Sequence, residues 1–348
     1  MRYVGVEVVQ ATGVRHVQDA EQPTSDPIPA PARRLWLRRW SRRLGLTVLA
    51  MVVLVTGFCW VYNAATAKRA PLPGGLSFVA TADTATRYRQ WGTTGPAVVL
   101  VPGAAESADT WSRVGPLLAT GHRVYALDPV GWGYTRRVGR PDLDHQARQL
   151  LAFLDALGLA RPVLVGHSSG AAVVAEATLR APGRVGGLLL LDGDALATGA
   201  GQRNPVRYVV IDPYRTTFLR MATRTDALIR WVYDRQCGPR CPRLGAADVD
   251  VWRRPFQVPG AEAGIWQMLD LGVPGLPVAR VGLLAAVAIP KRVVFGADDS
   301  VFSADTPAET AARIGAPAPT LIPAARHLTM ISDPDQVAAA ISSLTVRP

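Results

Sequence analysis

Hydrophobic positions follow two regimes along this chain. From Leu44 to Ala65 every residue is uncharged and most are apolar, with no polar face repeating at helical spacing. A run of ~22 residues makes a helix of roughly 33 Å, enough to cross a bilayer. Beyond Ala70-Pro-Leu-Pro-Gly-Gly75 the pattern changes. Short Val- and Leu-rich runs of strand length alternate with apolar stripes of period 3.6, the mark of an α/β fold with a mostly parallel sheet. The predicted strands are Ala85–Trp91, Ala97–Val101, Arg123–Leu127, Val163–Val165, Gly187–Leu191, Arg292–Phe295 and Thr320–Ile322. The predicted helices are His145–Leu157, Ala171–Leu179, Pro307–Ile314 and Pro334–Leu344, the last opening on an Asp333 cap and a proline first position. Between Ala195 and Ile289 the alternation stops. Tryptophans (Trp231, Trp252, Trp266), arginines and Pro-Gly breaks predict a mostly helical insertion there.

These boundaries divide the chain into a flexible tail with an Arg-rich end (1–43), a transmembrane helix (44–66), a stalk (67–75), an α/β core in two pieces (76–194 and 290–348) and a helical cap (195–289). Charge sharpens only the first part. The net charge is +11, and six arginines (Arg33, Arg34, Arg38, Arg39, Arg42, Arg43) crowd one short segment. With only Lys68 and Arg69 following the apolar run, the positive-inside rule puts the N-terminus in the cytoplasm and the rest outside. Trp36 and Trp40 on one side, and Trp60 and Tyr62 on the other, suit interfacial belts. A cleaved export signal is the rival reading, because Ser41-Arg42-Arg43 resembles a twin-arginine start and Ala65-Thr66-Ala67 fits an A-x-A site. Gly45 stands where that signal prefers an aromatic, and the run exceeds a usual signal core, so a retained anchor is expected. No basic groove with interleaved aromatics is visible, which argues against nucleic acid as a partner.

Of three cysteines, Cys59 lies in the apolar run and reads as a filler. Cys237 and Cys241 sit in Cys-Gly-Pro-Arg-Cys with no further Cys or His nearby, so a metal site is not expected and a local disulfide is.

The candidate chemistry centres on Gly166-His-Ser-Ser-Gly170, which joins an apolar strand to an alanine-rich helix. In G-x-S-x-G the serine occupies a strained strand-to-helix turn, and glycines flank it because side chains there would collide with neighbouring backbone. A serine nucleophile needs a base, an orienting acid and oxyanion donors. Of five histidines, His16 is in the tail, His122 begins a strand, His145 opens a helix, and His167 lies inside the turn itself. His327, on a loop between an apolar strand and the final helix, remains as the base. Arg292-Val-Val-Phe-Gly-Ala-Asp-Asp-Ser300 runs from a strand into a turn with two carboxylates. Asp299 is the expected acid, with Asp298 as reserve and Asp192, or Asp194, after another strand as a further alternative. The strand Val98–Val101 ends in a small-residue turn, so the N–H groups of Ala104 and Ser169 are the expected oxyanion donors.

In this order the parts resemble the α/β-hydrolase superfamily over roughly Leu76 to Val346. Pro102-Gly103 takes the place of that family's His-Gly motif, and Asp128-Pro-Val-Gly-Trp-Gly-Tyr-Thr135 looks like its D-x-x-G-x-G-x-S loop. Gly296-Ala-Asp-Asp299 fits its G-x-x-D acid motif, which supports Asp299 over Asp298, and His327 falls where its late histidine falls. Two departures are Pro102 for the histidine and Ala171 where many members have a second glycine. The resemblance implies a serine hydrolase with a cap, working without a cofactor on a small-molecule acyl substrate. A carboxylic ester, perhydrolysis, and amide, thioester or C–C bond hydrolysis all fit it, with an apolar cap favouring an ester of lipid-like chain. A binding module that has lost catalysis and an anchor that organises partners are the non-enzymatic alternatives. Aspartate-nucleophile chemistry, as in the family's dehalogenases, is argued against by Ser168.

Overall fold

The computed structural model describes residues 30–67, 71–81, 83–197 and 211–345. The expected tail with His16, the flanking Lys68 and Arg69, and part of the expected cap (198–210) lie outside the described residues. The chain divides into two compact units, Met1–Val55 and Thr56–Pro348.

Helix α1 covers Ala30–Ala65, 36 residues. Its start corrects the expectation of a flexible segment up to residue 43. Arg, Leu and Trp are adequate helix formers, and extending an existing helix is far easier than nucleating one, so the helix runs back to Pro31, a residue tolerated in a first turn. Its segment Trp36–Ala65 has a mean hydropathy of 2.3 over its most apolar stretch and is long and apolar enough to cross a membrane.

In the second unit the strands are β1 (Ser77–Thr81), β2 (Thr84–Trp91), β3 (Ala97–Val101), β4 (Arg123–Leu127), β5 (Val163–His167), β6 (Gly187–Leu191), β7 (Lys291–Gly296) and β8 (Thr320–Ile322). They form one sheet in the order β1-β2-β4-β3-β5-β6-β7-β8. The β1–β2 and β2–β4 pairs are antiparallel, and every pair from β4 onward is parallel. β1 was not expected from the sequence. Mostly exposed along its length, it pairs only through a tight turn with β2 and carries no alternating signal.

The central strands are unbroken apolar runs because both faces are covered. Along β3, Val99 and Val101 face one core with Leu127, Phe153 and Leu164, while Val98 and Leu100 face another with Trp111 and Val165. Helices α2 (Val114–Leu118), α3 (Leu143–Ala156) and α4 (Gly170–Arg180) fall between strands of the first half. Between β6 and β7 lie α5 (Tyr214–Arg224), α6 (Asp226–Cys237), α7 (Ala246–Arg253), α8 (Ala261–Leu271) and α9 (Val278–Gly282). After β7 come α10 (Thr306–Ile314), α11 (Thr329–Ser332) and α12 (Pro334–Ser342). Asp333 flanks α12 as expected but makes no cap bond to its backbone; its carboxylate instead accepts from Ser332 and Arg240. A disulfide joins Cys237 to Cys241, with Cα atoms 5.8 Å apart.

The loop after β4 is held by one carboxylate. Asp128, fully buried, accepts the Ala108 and Tyr134 N–H groups at 2.6 Å each and the Arg87 guanidinium at 3.3 Å. Arg87 also pairs with Asp109 at 2.7 Å. Burial drives the Asp128 carboxyl upward against the pull of Arg87, so its charge depends on these donors. At Gly133 a Cβ would strike the Asp128 carboxylate, which is why the loop needs glycine there. Removing one partner of a buried ion pair strands the other charge, so Asp128→Ala is expected to destabilise the protein by about 3–5 kcal/mol in denaturant unfolding. A loss below ~1 kcal/mol would mean that Arg87 finds water or another acid instead.

Candidate active site

β5 carries the chain straight into Ser168, whose φ of +50 is unusual for a residue with a side chain. Two close backbone approaches impose this turn. A Cβ at Gly166 would collide with the Gly170 carbonyl, and one at Gly170 would come within 2.5 Å of the Val101 carbonyl oxygen at the end of β3. The Ser168 N–H donates to the Leu191 carbonyl at 2.9 Å, which ties the turn to β6. Ser168 is thereby lifted above the carboxyl ends of β3, β5 and β6 and remains half-exposed.

His327, on the loop after β8, places Nε2 3.1 Å from Ser168 Oγ. Its Nδ1 lies 2.8 Å from Asp299 Oδ2, on the turn after β7. With Nδ1–H donating to Asp299, Nε2 is left to accept the serine proton. Both side chains are nearly buried, at 5% and 4% exposed. Asp299 Oδ1 is itself held by the Val301 N–H at 2.7 Å.

The alternative acids are elsewhere. Asp298 is exposed, and its N–H donates to the Ala325 carbonyl at 2.9 Å. Asp192 is fully buried and corrects its reading as a substitute acid: it accepts the Gly296 N–H at 2.8 Å and the Thr329 hydroxyl at 2.5 Å, not His327. It fastens the end of β6 to β7 and to the start of α11. Asp194, half-buried, accepts the Leu196 N–H at 2.9 Å. Among the described residues the N–H groups of Ala104 and Ser169 have no acceptor, and they flank Ser168 from the β3 turn and the start of α4.

One residue escaped the sequence reading. Glu106, buried after the β3 turn, accepts the Gly103 N–H at 3.1 Å and lies 3.1 Å from His167 Nδ1. His167 Nε2 in turn donates to the His327 carbonyl at 2.8 Å. His167 thus points behind the serine and links the oxyanion turn, the elbow and the His327 loop. Burial alone would lower its imidazole, but the Glu106 carboxylate, with Asp192 and the His327 carbonyl, pushes it up to about 9. Burial opposes the Glu106 charge, and the imidazolium outweighs it and holds that carboxyl low. In the sequence it stood only as a glutamate five residues past an apolar strand, with nothing local to mark its partner. His122 and His145 are occupied in other bonds, to Thr345 and to Asp83. Among the described residues no group of His, Cys, Asp or Glu is placed to hold a metal ion.

A cavity of about 240 Å³ adjoins the site. Ala104, Glu106 and Leu328 stand at one end, and most of the wall from the insertion is apolar (Ala222, Leu228, Val232, Phe256), with Thr223 and Gln236 as its polar members. Ser168 itself is not in the lining. Of the insertion's aromatics, Trp252 and Phe256 line this space, Trp231 is 59% exposed, and Trp266 packs in a small cluster with Trp132 and Ile265.

A mostly parallel sheet with serine, aspartate and histidine converging in that chain order at its carboxyl edge defines the α/β-hydrolase architecture. The chain belongs to the alpha/beta hydrolase family, whose profile matches residues 98–340. A haloalkane dehalogenase of Mesorhizobium japonicum is 33% identical over 114 residues, 32% of this chain and 36% of that protein. A 2-hydroxy-6-oxononadienedioate/2-hydroxy-6-oxononatrienedioate hydrolase of Pseudomonas putida is 34% identical over 131 residues, 35% of this chain and 43% of that protein. The chain therefore spans well under half the length of these relatives. Among solved structures, a membrane phospholipase A aligns with a TM-score of 0.62 at 20% identity, over 90% of this chain and 97% of that one. A thermophilic esterase from Thermogutta terrifontis aligns with a TM-score of 0.61 at 22% identity, over 78% and 97%. At such identities the likeness is one of fold.

The Glu106–His167 pair has a pH signature. His167 sits above its unfolded value of 6.5, so its contribution is full below that and fades as pH rises through about 9. Glu106 is held below its unfolded 4.5, so its contribution is full above that and fades as pH falls further. Glu106→Gln is expected to cost on the order of 3 kcal/mol between these limits. Thermal melts from pH 5 to 10 should show its deficit shrinking through pH 9, and a pH-independent deficit would contradict the charged pair.

Proposed function

We propose that this protein is a membrane-anchored serine hydrolase that cleaves a carboxylic ester through an acyl-enzyme. The observation that carries the reading is the continuous line Ser168 Oγ, His327 Nε2, His327 Nδ1, Asp299 Oδ2, with links of 3.1 and 2.8 Å. His327 takes the Ser168 proton as Oγ attacks the acyl carbonyl carbon, and Asp299 fixes the tautomer and stabilises the imidazolium. The unpaired N–H groups of Ala104 and Ser169 receive the tetrahedral oxyanion. His327 then protonates the leaving alkoxide. In the second half a water attacks the acyl carbon and gives its proton to His327, which returns it to Ser168 Oγ as the acyl–Oγ bond breaks and the acid leaves.

The apolar wall of the adjoining cavity favours an ester with a hydrocarbon acyl chain. The match to relatives named for dienedioate hydrolysis favours C–C bond cleavage as the second reading, but among the described residues the cavity that reaches Ala104 has no arginine or lysine to receive a carboxylate. Dehalogenation is disfavoured by a serine at the elbow. The dense arginines before α1's apolar stretch support a cytoplasmic N-terminus and an extracytoplasmic hydrolase domain.

A fluorophosphonate probe is expected to label the wild type and to leave Ser168→Ala unlabelled, with kcat/KM for p-nitrophenyl esters lowered at least ~10³-fold in that variant. Equal labelling of the two proteins would remove Ser168 from the mechanism, and flat, negligible rates across acyl lengths would favour the C–C reading. For orientation, protease added outside intact cells should release a fragment that carries Ser168. Full protection there, with cleavage only after lysis, would reverse the topology.

A further inference from the structure

The last turns of α1 are covered on one face only. Thr56, Cys59, Tyr62, Asn63 and Thr66 are shielded, at helical spacing, while their neighbours are exposed. Helix α5 supplies the cover. The Tyr214 hydroxyl lies 2.6 Å from Thr56 Oγ1, Asn63 Nδ2 donates to the Pro213 carbonyl at 2.9 Å, and the Thr217 hydroxyl donates to Asn63 Oδ1 at 3.1 Å. Arg220 donates to the Asn63 carbonyl at 2.7 Å and to the Thr66 hydroxyl at 3.1 Å. Cys59, expected as a mere filler, is 4% exposed beneath this contact. Polar Asn63 and Thr56 inside an apolar stretch need partners, and α5 provides them. The helix is thereby tied to the end of the candidate span, at the level of Trp60 and Tyr62.

The remaining surface of the α5–α6 hairpin is unusually apolar. Phe218 and Trp231 are 67% and 59% exposed, joined by Ile211 and Met221. Leu228 and Val232, at 38% and 42% exposed, also line the cavity that ends at Ala104. α5 carries three arginines and no acid within its span. A basic helix with exposed large apolar residues, fastened beside an aromatic belt, matches the chemistry of a membrane interface.

We infer that the α5–α6 hairpin is seated in the outer-leaflet interface, with lipid covering Phe218 and Trp231, and that substrate enters between Leu228 and Val232 directly from the bilayer. The substrate is then a membrane-resident acyl ester, not one dissolved in water. A soluble partner would also cover apolar side chains, but hydrogen bonds to the last turns of the apolar helix hold this hairpin where that helix would leave the bilayer, which favours lipid. The inference rests on α1 as the anchor and Ser168 as the nucleophile.

The test uses the full chain in phosphatidylcholine–phosphatidylglycerol vesicles, with an environment-sensitive fluorophore on Phe218→Cys or, as the control, Ala308→Cys, both in a Cys59→Ala background. The label at 218 should be quenched by nitroxide lipids and protected from iodide, with the reverse at 308. Iodide access at 218 equal to that at 308 overturns the inference. Protection from both quenchers overturns it too, since protein would then cover the hairpin. In parallel, the double variant Phe218→Ser with Trp231→Ser should hydrolyse a long-chain ester packed in the vesicles about tenfold more slowly. Its rate on p-nitrophenyl acetate and its fluorophosphonate labelling should stay within about twofold of wild type. Equal losses on both esters would overturn the entry route. An unlabelled wild type would instead defeat the hydrolase reading, and the quenching result would still stand.

Discussion

The elbow at Ser168 depends on how closely three pieces of backbone can approach. β5 must run between β3 and β6, and α4 must start directly over the end of β3, within contact of the Val101 and Pro102 carbonyls. Only glycine at 166 and 170 leaves room for that. Once the approach is made, Ser168 has nowhere to go but the left-handed region, at a cost of ~1–3 kcal/mol that the packed sheet over-determines. The proposed nucleophile, its unpaired N–H neighbours and the direction of α4 all follow from one steric constraint.

Behind this edge the structure uses buried carboxylates as fasteners. Asp128 gathers the loop after β4, Asp192 joins β6 to β7 and α11, and Glu106 with His167 joins the β3 turn to the His327 loop. Each sits where strands end and backbone N–H groups would otherwise face a dry interior. Asp299 differs in being aimed at the imidazole that meets Ser168. Four acids with similar burial thus divide into three that hold loops and one that faces the chemistry, and geometry alone makes that division.

The insertion extends the same logic outward. Helix α5 satisfies the polar groups near the end of α1, and α5 and α6 wall the cavity that reaches Ala104. The last turns of α1, the insertion and the cavity are therefore neighbours through a few named hydrogen bonds.

Much was legible from residue order. Period and composition set the parallel strands, the long apolar helix and a helical insertion, because both-face burial demands unbroken apolar runs and a bilayer demands ~20 of them in a helix. The elbow glycines marked Ser168, and scarcity of histidine singled out His327. What sequence left open was decided by distance across the fold. Asp298, Asp299 and Asp192 all follow strands, and only the turn after β7 brings one of them, Asp299, within 2.8 Å of His327. Glu106 carried no local signal because its partner lies 61 positions away. Cys59 and Asn63 read as parts of a uniform span until α5, some 150 residues later, covered them. Local pattern determines which element forms, since periodicity is a property of neighbours in sequence; which polar groups meet is determined by tertiary packing, since hydrogen bonds are a property of neighbours in space.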